Sequence, residues 1–178
     1  RAQVTAMKGT MRELPLLIPR TLLSGVRLHA DQEVVTWTAD GARRTSYAEV
    51  GTQAAQLANA LRGLGIDADQ RVSTFMWNNA EHLVTYLAVP SMGAVLQALN
   101  IRLFPEQLIY VANHAASQVV VLDTSLPAPF SKLLPALLTL RHVMVNGPPP
   151  ATVPAAPGAR PPTDAVHDAA GLPAPQPG

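Results

Sequence analysis

The run QVVVLD at 118–123 limits the fold more than any other stretch. Three valines and a leucine in a row leave no polar face for water. A strand of that kind is covered on both sides, as in a parallel sheet with helices above and below. The text around it agrees. From residue 71 strand-like and helix-like patterns alternate: RVSTFM at 71–76, a helix opened by Asn78-Asn79, AVLQAL at 94–99, a helix opened by Pro105-Glu106, QVVVLD, a helix near 128–139 and RHVMV near 141–145. Such β-α-β alternation predicts an α/β fold: a partial mixed or parallel sheet with helices on both faces and right-handed crossovers.

Ahead of that unit, EVVTW at 33–37 and RRTSY at 43–47 flank Asp40-Gly41, a tight-turn signal between two short strands. SYAE at 46–49 places Ser and Glu three apart, a capping box in which Ser46 accepts from the Glu49 N–H and Glu49 reaches back. Val50, Ala54, Leu57, Ala58 and Leu61 then recur at helical spacing, and Gly63 and Gly65 supply the stop. The second helix has Leu83, Val84, Leu87 and Ala88 as its core stripe, and Pro90 should kink or end it. AVLQAL reads as a buried strand. Leu108, Ile109 and Ala112 face inward on the helix that Pro105 opens. The apolar run at 14–18 stops at Pro19, too short for a signal peptide or a membrane span.

Proline use divides the chain. Seven of 17 prolines precede Gly147, and ten lie in the last 32 residues. Residues 1–146 are expected to fold. Residues 147–178 hold Val153, Val166 and Leu172 as their only large apolar side chains, and are expected to be a disordered Pro/Ala-rich tail. With 178 residues, the chain is long enough for one domain with a core. A net charge of +1 gives no field for nucleic acid. The chain has no cysteine, which excludes disulfides and thiolate metal sites and fits a cytoplasmic protein.

Few residues advertise chemistry. GLGIDA at 63–68 matches a dinucleotide string, yet it follows a helix and precedes a strand, the reverse of what pyrophosphate binding needs, so a helix stop is the better reading. No phosphate loop of the G-x-x-x-x-G-K type is present, and the five histidines are scattered. No metal site is expected: Glu81 and His82 are neighbours that point apart on a helix. Ser91 lacks the glycines of a nucleophile elbow. Asp123 ends a strand, where open α/β sheets gather ligands, but an Asp there is also a turn residue, and the turn is preferred. Arg102 and Lys132 are lone cations able to meet phosphate. Trp77 follows a strand and either lines a pocket or, the preferred reading, packs in the core.

Taken in order, TSYAE, the Leu-Gly turn before Asp69-Gln-Arg-Val, Asn78-x-x-Glu81, Gly93-Ala-Val…Asn100 and NIRLFPEQ resemble the N-terminal region of adenylate-forming acyl-CoA ligases. The likeness is greatest to fatty-acid–CoA ligases of high-GC actinobacteria and runs from about residue 8 to 145. It implies a two-step reaction in the full-length relatives: fatty acid and ATP give acyl-adenylate and pyrophosphate, with Mg²⁺ neutralising phosphate, and the CoA thiol then displaces AMP. The implied small-molecule partners are fatty acid, ATP and CoA, with none bound tightly by this chain alone. The resemblance places Asn100, Ile101 and Arg102 near the nucleotide end of CoA, Lys132 near its 3′-phosphate, and Trp77 and Asn78 beneath the acyl pocket. It assigns no catalytic residue, because the family's phosphate loop and mobile lysine lie downstream of the matching stretch. A truncated, inactive fragment is therefore expected. The change of text near 146 resembles a reading-frame shift in GC-rich DNA, which reading the downstream DNA in three frames tests. The alternative is a non-catalytic interaction module that self-associates through open sheet edges.

Overall fold

A computed structural model describes residues 15–146. The tail expectation for 147–178 lies outside the described residues. The described chain runs α1 (Ile18–Leu28), β1 (Glu33–Thr38), β2 (Gly41–Ser46), α2 (Tyr47–Gly63), β3 (Arg71–Phe75), α3 (Ala80–Ser91), β4 (Val95–Ala98), α4 (Pro105–His114), β5 (Val119–Asp123), α5 (Pro127–Ser131), a 3-10 turn at Leu134–Ala136, and β6 (His142–Asn146).

β3 to β6 form one parallel sheet in the order β4-β3-β5-β6. Val72 pairs with Val119 and Phe75 with Leu122, and Val119 in turn pairs with His142. Every residue of β5 is buried, as its unbroken apolar run requires. Alternate side chains feed two separate cores. Val72, Val119, Val121 and Met144 meet Leu57, Leu61, Val84 and Ala88 of α2 and α3. On the other face, Phe75, Val120, Leu122 and Val143 meet Leu108 and Ala112 of α4 and Phe130, Leu133 and Leu137 beyond β5. The β1–β2 hairpin stands apart as a two-stranded antiparallel sheet. Thr38 pairs with Gly41, so Ala39 and Asp40 form the turn and Gly41, at φ 114°, opens β2.

Local chemistry explains the helix ends. The capping box is present: the Glu49 N–H donates to Ser46 Oγ at 3.2 Å, and the Ser46 N–H donates to Glu49 Oε2 at 2.7 Å. The stripe Val50, Ala54, Leu57, Ala58 and Leu61 is buried as its spacing requires. Three helices end in the same hydrogen-bond motif. After α2, Gly65 donates to the Arg62 carbonyl and Ile66 to that of Leu61. After α3, Gly93 donates to Pro90 and Ala94 to Val89. After α4, Ala116 donates to Asn113 and Ser117 to Ala112. Glycine fills the left-handed position in the first two, at φ 79° and 88°; Ala116 fills the third at φ 52°. Gly63 and Gly65 thus stop a helix, and no strand leads into them.

Several expectations need correction. α1 is a helix in which Pro19 occupies the first turn, where its missing N–H costs nothing, so Pro19 opens an element instead of closing one. The first parallel strand ends at Phe75, one residue early. Pro90 lies inside α3, which runs on to Ser91. Leu83 and Leu87 are half-buried, and Thr85, His82 and Val89 share the buried side with Val84 and Ala88. AVLQAL is not fully buried: β4 is an edge strand, with Val95 and Ala98 exposed. The helix expected at 128–139 is two pieces, because Pro135 cannot donate the hydrogen bond that would continue α5.

Two further contacts set positions. A Cβ at Gly51 would lie 2.5 Å from Val26 Cγ2, so the bare glycine lets α1 approach α2. Ser73, Gln97 and Ser117 form a closed polar triangle within the second core. Gln97 Oε1 lies 3.0 Å from Ser73 Oγ and 2.8 Å from Ser117 Oγ, the two hydroxyls are 2.6 Å apart, and Gln97 Nε2 donates to the Val111 carbonyl.

These ends give a paired expectation in urea unfolding. Ala116→Gly removes a left-handed alanine and is expected to add about 1 kcal/mol. Ser46→Ala removes a cap and is expected to subtract about 1 kcal/mol.

Candidate functional site

The carboxyl ends of β3 and β5 lie side by side, and the polar groups converge there. Parallel pairing of Phe75 with Leu122 puts the residues after β3 beside Asp123. Asn79 caps α3: its Oδ1 accepts the His82 N–H at 2.8 Å. Its Nδ2 donates to Asp123 Oδ2 at 3.1 Å. The other carboxylate oxygen accepts the Ser125 N–H at 2.9 Å and the Ser125 hydroxyl at 2.7 Å, and Trp77 Nε1 donates to Ser125 Oγ at 3.1 Å. The chain of bonds Trp77–Ser125–Asp123–Asn79 therefore bridges β3, α3 and β5. Asp123 is buried, and both its oxygens are engaged. That is the turn geometry preferred from the sequence.

Behind this edge His82 joins α3 to β3. Its Nδ1 lies 3.2 Å from the Trp77 carbonyl, which can only accept, so Nδ1 carries the proton. Nε2, 2.9 Å from Thr74 Oγ1, then accepts from the hydroxyl. Tyr86 packs on the ring at 4.9 Å. Burial holds the imidazole below the ordinary histidine value; the Trp77 carbonyl and the charge of Asp123 oppose that in part. The hairpin closes over α3 from outside. Thr36 Oγ1 accepts the Ala80 N–H at 2.9 Å, and Arg43 pairs with Glu81 at 2.5 Å. Between hairpin and helix runs a groove of about 300 Å³ lined by Val34, Thr36, Asn78, Asn79, His82 and Tyr86.

The residues singled out from the sequence fall into two places. Trp77 and Asn78 sit beside the Asp123 network. Trp77 is 47 % exposed, so core packing is not its role. The strand's buried run ends at Met76, and the indole turns out to reach Ser125. Asn100, Ile101 and Arg102 form the turn after β4: Asn100 Oδ1 accepts the Arg102 N–H at 3.0 Å, and the Leu103 N–H donates to the Asn100 carbonyl. Ile101 and Leu103 pack on the core that also holds Phe130 and Leu133, next to exposed Lys132. Arg102 and Lys132 thus flank one core on the α4 side, while Trp77 and Asn78 lie toward α3. Ser91 ends α3 with its hydroxyl buried and unpartnered among the described residues. The Asn79–Asp123 link and the His82 relay to Thr74 escaped sequence reading. The only local signal was a histidine three residues after a capping asparagine.

Comparison with known proteins places this geometry. The AMP-binding enzyme family matches residues 24–173. The chain is 35 % identical over 143 residues to a 3-methylmercaptopropionyl-CoA ligase of Ruegeria lacuscaerulensis, covering 80 % of this chain and 26 % of that protein. It is 36 % identical over 144 residues to a long-chain-fatty-acid–CoA ligase of Thermus thermophilus, covering 80 % and 27 %. The chain spans about a quarter of the length of these curated relatives. Among solved structures, acetoacetyl-CoA synthetase from Streptomyces lividans superposes with a TM-score of 0.71 over 88 % of this chain and 25 % of that one, at 20 % identity, a likeness of fold.

The neutral His82 ring gives the fold a pH dependence with a definite sign. Its folded value is lowered, so as pH falls through about 6.5 the unfolded chain takes up the proton first. This contribution is full above that range and is lost as pH falls toward the lowered value. Urea midpoints are expected to drop between about pH 7.5 and 5.5, and His82→Gln, less stable at the upper pH, is expected to drop less. Parallel declines would assign the dependence to other groups.

Proposed function

Because the chain belongs to the AMP-binding enzyme family, we propose that it is the N-terminal, substrate-positioning part of a cytoplasmic fatty-acid–CoA ligase. The ligase would join a fatty acid to CoA through an acyl-adenylate. The observation that carries the reading is the parallel sheet's carboxyl edge. There the Asn100–Arg102 turn and the Trp77–Asp123 network follow neighbouring strands, β4, β3 and β5, where α/β folds receive ligands.

CoA is the group these residues fit. Arg102 and Lys132 are exposed cations with no carboxylate partner among the described residues, suited to phosphate. Asn100 braces its turn through the Arg102 N–H, and Ile101 anchors it in the core, so the turn is held in place before a ligand arrives. CoA, when bound, supplies the thiol that accepts the acyl group. Trp77 and Asn78 would border the acyl chain, with the exposed indole as the apolar wall. The described residues do not fit a resident Mg²⁺: no three His, Asp or Glu side chains converge among them. The 178-residue chain also carries no Gly-rich phosphate loop and no Pro-Lys-Gly sequence. Without such groups to hold the ATP phosphates as charge develops, adenylation by this chain alone has no electrostatic support.

A second reading, a non-catalytic interaction module, draws on the uncovered outer edges of β4 and β6. Size-exclusion chromatography separates the two: a concentration-dependent dimer favours the module.

The purified chain is expected to release no pyrophosphate from ATP, Mg²⁺ and a fatty acid; clear turnover would refute the positioning-only role. Saturation-transfer NMR is expected to show weak binding of CoA and weaker binding of 3′-dephospho-CoA. Arg102→Ala and Lys132→Ala are expected to erase that difference. Equal signals from the two ligands with the unmodified chain would remove the CoA assignment.

A further inference from the structure

α1 carries a stripe of arginine and leucine that the fold leaves uncovered. The helix has no buried residue and rests on α2 through half-buried Leu22, Gly25 and Val26. On the outside, Arg20, Leu23, Ser24, Arg27 and Leu28 recur at helical spacing and line an open groove of about 400 Å³. Leu28 is 72 % exposed and Leu23 47 %, and the chain enters the helix through exposed Leu16, Leu17 and Ile18. Residues 15–30 contain two arginines and no Asp or Glu. Among the described residues neither arginine has an ion-pair partner.

Charge decides between occupants. A second copy meeting this stripe about a two-fold axis must complement itself. It would bring Arg20 and Arg27 against their own copies with no carboxylate on the face to absorb the charge. An acidic protein surface would answer the arginines but leave the projecting leucines needing pockets of their own. A bilayer bearing anionic phospholipid answers both. Phosphate oxygens suit a guanidinium in paired hydrogen bonds, and aliphatic side chains beside it reach the acyl boundary. We infer that the outer face of α1 docks this chain on an anionic phospholipid surface, as an interfacial contact and not a span. No helix among the described residues is long and apolar enough to cross a membrane. The inference stands apart from the ligase reading, since lipid contact needs neither ATP nor CoA.

Flotation of the purified 178-residue chain with vesicles tests it. Partitioning is expected on phosphatidylcholine containing about one-third phosphatidylglycerol, with little on phosphatidylcholine alone and weakening as salt rises. Arg20→Glu with Arg27→Glu is expected to weaken partitioning at least about tenfold. Leu23→Ser with Leu28→Ser, which touches exposed positions, should weaken it with circular dichroism unchanged. Absence of flotation, equal flotation on neutral vesicles, or flotation untouched by both variants would overturn the inference. A dimer abolished by the leucine variant with no vesicle binding would assign the stripe to a second copy. Binding to polyglutamate with no vesicle binding would assign it to an acidic protein.

Discussion

The pairing of β3 with β5 is the constraint on which everything else rests. These strands lie 44 or more residues apart in sequence and contribute side chains to both cores, so the ladder from Val72–Val119 to Phe75–Leu122 fixes two layers at once. Parallel strands cannot be joined by a tight turn; each needs a crossover, and α3, β4 and α4 are the crossover here. The helices then take the faces that the strands leave apolar. Because the strands run one way, their carboxyl ends open on one side, and the loops that follow them are collected there.

That collection is held by polar bonds as much as by packing. Asn79 works in two directions, capping α3 and holding Asp123, so the start of one helix and the end of another strand move together. His82 extends the connection back into β3 through Thr74. The hairpin, too small to be stable alone, borrows its footing from α3 through Thr36 and the Arg43–Glu81 pair. Asp123 shows why a carboxylate at a strand end is ambiguous as a site: with donors on both oxygens it organises the loop and has little capacity left for a ligand.

How much could be read in advance depended on whether the controlling interaction was local. The capping box at Ser46, the stripe from Val50 to Leu61 and the doubly buried β5 were legible, since each is written within a few residues. α1 was not: it has no side-chain cap, and Pro19 reads equally as a stop or a first turn. β4 looked buried because AVLQAL is apolar, but burial depends on strand order, and an edge position exposes Val95. The break at Pro135 was visible in the letters and outweighed by the leucines around it. At the candidate site, the turn at Asn100 was legible as a turn. The meeting of Asn79 with Asp123 was not, because only the sheet topology brings those positions together.

The triangle of Ser73, Gln97 and Ser117 has a consequence for the lone rim strand it touches. β4 has a neighbour on one side only, and apolar contacts alone would tolerate sliding along β3. Displacement by a single residue would invert its faces, strand two hydroxyls in an oily interior, and carry Asn100 away from its place by about 3.3 Å. The triangle therefore acts as a detent, giving the loop beyond β4 one permitted setting.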